Sequence, residues 1–169
     1  IVKPSDQPTI RPLDYVTMGR ITGIEPQAKH ANRYNIHIDD AFALGLSALL
    51  AAKLRVGQEI TEEEIRALER EEAFAHGYEK ALRLLEPRPR SSNEVRQQLL
   101  KKKIATDAID RVLERLTGAG LLDDTAFAKY WVENRETFRP RAGRALKFEL
   151  KRKGVPDATI AKAIGKIDE

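Results

Sequence analysis

The segment from Arg88 to Leu116 is written a second time, from Arg139 to Ile167, at a constant offset of about fifty residues. Arg88-Pro89-Arg90 returns as Arg139-Pro140-Arg141, and Val95 and Leu99 return as Leu146 and Leu150. Lys101-Lys102 becomes Arg152-Lys153, and Ile104, Ile109, Leu113 and Leu116 become Val155, Ile160, Ile164 and Ile167. A period of this size belongs to stacked helical units. The apolar positions match because each copy buries the same helix faces. Core formation gives no reason for the basic positions to match as well. A fold that repeats its positive charge suits a long, regular, negatively charged partner better than a small substrate.

The rest of the chain sorts into a leader, a strand-bearing segment and helices. Residues 1–13, with Pro4, Pro8 and Pro12 among polar neighbours, read as a disordered leader. Residues 14–71 read as a small β-sheet and helix extension, 72–122 as the first three-helix repeat and 123–169 as the second. Tyr15 to Glu25 alternates loosely. Tyr34, Ile36 and Ile38 share one face of a clean alternation, Asp39-Asp40 makes a turn, and Phe42 to Leu46 can pair back. About three antiparallel strands are expected, too few to stand without a helix against them. Ser47 to Leu54 can form a short helix, closed by the turn Val56-Gly57-Gln58. Further helices are expected over roughly 62–86, 92–103, 106–118, 124–137, 142–153 and 157–167, the first able to break near Glu72 or Gly77. Thr61 with Glu64, and Ser91 with Glu94, form capping boxes. Thr106 or Asp107 caps the next helix, Gly118 and Gly120 end it, and Asp123 or Asp124 caps the one after. Gly154 and Pro156 separate the last two. The fold class is therefore mainly α: two tandem three-helix repeats with a small antiparallel β-sheet extension at the amino terminus.

Charge narrows the partner. The 169 residues carry a net charge of +4, unevenly spread. Acids outnumber bases seven to two from Glu59 to Glu72, and bases outnumber acids eight to two from Arg135 to Lys153. There is no cysteine, which excludes disulfides and thiolate chemistry and fits a reducing cytoplasm. No apolar stretch approaches the roughly eighteen residues of a membrane span, so no membrane partner is expected.

Cations are the leading candidates for binding. Arg96, Lys101, Lys102 and Lys103 lie on the middle helix expected in the first copy. Arg144, Lys147, Lys151, Arg152 and Lys153 lie on that of the second. Arg88, Arg90, Arg139 and Arg141 stand in the loops leading into those helices. Such a set can form a ladder for phosphates or for an acidic protein groove. Bases at a helix end can instead answer the helix dipole, which accounts for Lys101–Lys103 and Lys151–Lys153 but not for the loop arginines. Phe127, Tyr130, Trp131 and Phe138 could stack bases, although the first three fall at core spacing and core is the better reading. Arg135 stands four residues after Trp131 and can lie over its ring. Asp123-Asp124 could bind magnesium, but an N-cap explains them more simply. His30, His37 and His76 have no metal-ligand spacing, and His37 should face solvent. No phosphate loop, nucleophile elbow or His-Glu metal motif is present. No enzyme activity and no cofactor are expected.

The order of these motifs resembles a known family. Ala81-Leu82, Leu85, Arg88-Pro89-Arg90-Ser91, Glu94-Val95 and Leu99 resemble the first repeat of the RecX regulatory proteins. Ile109, Val112-Leu113, Leu116, Gly120-Leu121-Leu122-Asp123-Asp124 and Phe127-Ala128 continue it. Arg135, Arg139-Pro140, Gly143, Leu146, Glu149-Leu150, Lys153-Gly154-Val155 and Ile160 resemble the second repeat. Tyr34-Asn35-Ile36, Phe42, Gly45 and Val56-Gly57-Gln58-Glu59 resemble the strand-bearing extension of some members. The resemblance covers roughly residues 18–167 and rests on order and spacing rather than on one diagnostic motif. It implies a non-enzymatic regulator of the RecA recombinase in recombinational repair and the SOS response. Such a regulator lies in the groove of the RecA–DNA filament and restrains assembly, ATP hydrolysis and strand exchange. It also implies backbone contact with single- and double-stranded DNA, a cytoplasmic location and a monomer. The family pattern has three repeats; two are present here, and a third is not expected in this sequence. The loop before the second repeat has Ala142-Gly143 where the first has Ser91-Ser92, so the two caps differ.

Two other readings stay open. The short-loop helix pairs could serve a transcription regulator of helix-turn-helix type, which would show tight preference for one duplex sequence. A protein-only adaptor would show no salt-dependent DNA binding.

Overall fold

The computed structural model describes residues 18–138 and 143–165, with two compact units, one ending at Glu69 and one beginning at Arg70. The expected leader lies outside the described residues, as do Arg139, Pro140, Arg141, Ala142 and Ile167.

In the first unit, β1 (Met18–Gln27), β2 (His30–Ile38) and β3 (Ala41–Ser47) run antiparallel. Asp39 and Asp40 both take positive φ, 50° and 66°, as a tight two-residue hairpin requires. Ile21, Ile36, Leu44 and Leu46 bury one face of the sheet. Leu50 and Ala51 of α1 (Ala48–Ala51) join that cluster, as do Ile65 and Leu68 from the start of α2 (Glu62–Leu85). The sheet has four strands, not three: β4 (Glu59–Thr61) pairs with β1 and gives the order β3-β2-β1-β4. Three residues are too few for alternation to be read. His37 is half-buried rather than solvent-facing. Gly23 lies opposite it and leaves room for its ring, which meets Phe42 edge-on at 6.2 Å. Thr61 and Glu64 close the expected capping box at 2.7 and 3.1 Å, and the Thr61 amide and hydroxyl hold the Glu64 carboxyl below its ordinary range.

The second unit is helical. α2 does not break at Glu72 or Gly77. Gly77 is buried, and a Cβ there would stand 3.2–3.3 Å from Ile104 and Val112. The glycine therefore lets α4 approach rather than ending a helix. α3 (Ser92–Lys101) and α4 (Thr106–Gly118) complete the first three-helix set. α5 (Asp124–Phe138), α6 (Gly143–Arg152) and α7 (Asp157–Ile164) form the second. Val95, Leu99, Ile109 and Leu113 are buried in one cluster, and Leu146, Leu150, Ile160 and Ile164 in another.

Both middle helices end in the same turn. Ile104 N–H reaches Leu99 O and Lys103 N–H reaches Leu100 O; Val155 and Gly154 repeat this with Leu150 and Lys151. The turn needs a left-handed residue, which is Lys103 (φ 59°) in one copy and Gly154 (φ 73°) in the other. Because the chain turns so tightly after α3, α4 begins at once, with Ala105 at its N-cap and no side-chain cap. Thr106 and Asp107 fall inside the first turn instead of capping it. Asp123 caps α5, accepting from the Thr125 and Ala126 amides at 2.7 and 3.1 Å.

Candidate nucleic-acid interface

The two repeats meet through a hydrogen-bonded junction. Ser91, fully buried, accepts from the Glu94 amide at 3.1 Å and donates its hydroxyl to Lys153 O at 2.6 Å. Lys153 Nζ in turn donates to Glu94 Oε1 at 2.7 Å, and Arg88 reaches both Glu94 oxygens at 3.2 and 3.3 Å. Burial pushes the Glu94 carboxyl up. Hydrogen bonds from Arg88, Lys153 and the Ser91 amide outweigh that and bring it down to about 2. Ser92 N–H donates to Asp124 Oδ1 at 2.7 Å, a second bond from one repeat to the other. Gly154 completes the contact, because a Cβ there would collide with Asn93.

Trp131 anchors the far side of this junction. Its indole N–H donates to Glu149 at 3.0 Å, and Arg135 shares the same Glu149 oxygen at 3.1 Å. The Arg135 guanidinium and the Lys153 ammonium lie 4.7 and 4.2 Å from the Trp131 ring centroid. Phe127 is buried as the core reading expects, but Tyr130 is at the surface. Ala128 and Val132, not Tyr130, complete the inner face of α5. The Phe138 side chain lies outside the described residues.

The candidate cations thus divide into two sets. Arg88 and Arg90 have internal partners, which differs from the expectation that helix ends do not explain the loop arginines. Arg90 Nε donates to Leu84 O at 2.6 Å, satisfying a carbonyl at the end of α2. Arg96 pairs with Asp110 at 2.7 Å, and Arg135 and Lys153 belong to the tryptophan cluster. Lys101, Lys102, Lys103, Arg144, Lys147, Lys151 and Arg152 are exposed. Among the described residues only Lys151 of these has an ion pair, a solvent-washed contact to Asp157 at 3.3 Å. Arg139 and Arg141 lie outside the described residues.

The exposed cations gather on α6. With Leu146 and Leu150 turned inward, helical geometry brings Lys147, Lys151, Arg144, Phe148 and Arg152 round the outer side in an arc of about 140°. Phe148 was not among the sequence candidates. It is 63% exposed, in the middle of four cations. Its signal was legible: an aromatic two residues after Leu146 and two before Leu150 falls on the outer face.

Among the described residues no group of three or more His, Asp or Glu could hold a metal ion, and no helix is long and apolar enough to cross a membrane. Fold and surface together define a tandem three-helix-repeat protein with a strand-bearing unit ahead of its repeats and a cationic outer face. Comparison with known proteins gives this class a family. Residues 19–61 match the regulatory protein RecX N-terminal domain, 78–116 the RecX first three-helix domain and 123–164 the RecX second three-helix domain. The regulatory protein RecX of Clostridium perfringens strain SM101 is 32% identical over 153 residues, covering 89% of this chain and 71% of that protein. That of Bacillus licheniformis is 36% identical over 149 residues, and this chain spans only 57% of its length. A crystal structure of regulatory protein RecX superposes with a TM-score of 0.67 at 24% identity, over 88% of this chain and 74% of the other, and shares the fold. The chain belongs to the RecX family of regulatory proteins.

Proposed function

We propose that this chain binds the RecA–DNA filament and DNA through the exposed cations of its repeats, restraining filament assembly, ATP hydrolysis and strand exchange. The observation that carries the reading is the outer face of α6, where Arg144, Lys147, Lys151 and Arg152 stand together in solvent. A polyanion or an acidic groove is the complement of such a face. Lys101, Lys102 and Lys103 extend the same chemistry in the first repeat. Arg88, Arg90, Arg96, Arg135 and Lys153 serve it indirectly, by holding the repeats that present it. Arg139 and Arg141 remain candidates for direct contact. The mechanism needs no reacting group: the protein favours whichever assembly state offers it more contacts. It acts as a monomer in the cytoplasm.

The test is RecA-dependent ATP hydrolysis on single-stranded DNA with and without this chain. Dose-dependent slowing supports the reading. Unchanged hydrolysis at saturating protein removes it. Tight preference for one duplex sequence would favour a transcription regulator instead, and a flat salt response an adaptor.

A further inference from the structure

Phe148 adds something to the α6 face that phosphate binding does not require. The equivalent face of α3, 51 positions earlier, carries Asn93, Arg96, Gln97, Leu100 and Lys101. There a glutamine stands in place of Phe148, and the arginine is paired with Asp110. The two repeats have the same pattern of core positions but not the same surface here, so fold maintenance does not explain it. A 63%-exposed phenyl ring amid four cations is ill placed for a protein core.

Charge and ring together match one ligand class. The cations match phosphates, and an aromatic face matches an unpaired base. A duplex offers the phosphates but keeps its bases stacked on one another, and inserting a ring between them costs a few kcal/mol of unstacking. The geometry points to the outer face of α6 as a single-strand site, with Phe148 stacking on an exposed base while Arg144, Lys147, Lys151 and Arg152 hold the flanking phosphates. This rests on the proposed DNA binding and deepens it: the first repeat holds its partners by charge, and the second tells single strands from duplex. Asp157, the acid beside Lys151, weakens one cation at most.

The experiment uses the full chain without RecA. Fluorescence anisotropy is measured with labelled oligothymidylate, with the same strand carrying abasic sites, and with a duplex of equal length. The parent should bind the thymidylate strand more tightly than the abasic strand. Phe148→Leu should weaken binding to the thymidylate strand by about five- to a hundredfold, the range expected for one lost stacking contact. It should bind the abasic strand and the duplex like the parent, with the same salt slope. Phe148→Trp should restore the preference. Lys147→Gln with Lys151→Gln should do the opposite, lowering the salt slope while keeping the preference for normal over abasic strand. Far-ultraviolet circular dichroism melts check that each variant is folded, which the exposure of these side chains favours. Equal weakening on all three probes, or none, overturns the inference. So does a Phe148→Leu variant that binds every strand like the parent yet no longer slows RecA, because the ring would then dock on protein. In both cases the filament reading itself stands, since it fails only if the parent leaves RecA hydrolysis unchanged.

Discussion

The Glu94 carboxylate accepts from Arg88, Lys153 and the Ser91 amide at once, so its charge is needed for the junction. Its folded value of about 2 lies below the ordinary 4.5, so folding favours the ionised form. The contribution, on the order of 2–3 kcal/mol, is fully present above about pH 4.5 and is lost as pH falls from there through about 2. Glu94→Gln should therefore lower the melting midpoint at neutral pH and flatten the acid side of the stability profile. Thermal melts at intervals between pH 2 and pH 7 check this, and parallel profiles for parent and variant would count against it. Gly154→Ala should cost about 1–2 kcal/mol for the left-handed backbone alone, and more for the collision with Asn93. Lys103→Gly, at the matching turn, relieves such strain and should cost nothing or stabilise slightly, as urea midpoints would report. The Ser91–Glu94 capping box was legible because both partners lie within one turn. The Lys153–Glu94 pair spans 59 positions, and no local pattern announces a bond of that range.

At the scale of the element, helices were easier to read than strands. Pro89 and the Ser91 cap mark the start of α3, Gly154 and Pro156 mark the end of α6, and the 3.6-residue period of Val95 and Leu99 is repeated by Leu146 and Leu150. β4 has three residues and no period, so only its pairing with β1 defines it. The candidate site was half legible. Residue type identified the cations, but whether a cation is engaged depends on what folds beside it. In sequence Arg90 looks the freer, since the helix dipole accounts for Lys101 but not for it, yet Arg90 closes a carbonyl of α2 and Lys101 faces water. Two consequences can be measured. Arg88→Gln with Arg90→Gln should lower stability by about 1.5–3 kcal/mol for each charged hydrogen-bond set lost, with little change in the DNA salt slope. Lys147→Gln with Lys151→Gln should leave the urea midpoint in place and reduce the single-strand salt slope by about 0.7 per contact.

For the molecule as a whole, the two helical clusters have separate memberships. Leu99→Ala and Leu150→Ala should each cost about 2–5 kcal/mol, since both side chains are fully buried. Because the two lie in separate clusters, their costs should add within about 0.5 kcal/mol in the double variant. A large departure from additivity in urea unfolding would mean that the repeats form one core. What joins them is short and mostly backbone-anchored: the Ser91 hydroxyl on the Lys153 carbonyl, and the Ser92 amide on Asp124. With the Lys153–Glu94 pair, these bonds tie the start of α3 to the end of α6 and the start of α5. The pair then behaves as a protractor. A helical partner wound to the matching pitch meets both repeats without any cost of reordering them. For the proposed filament, one that is stretched or compressed would meet them one at a time, and affinity would then report its winding.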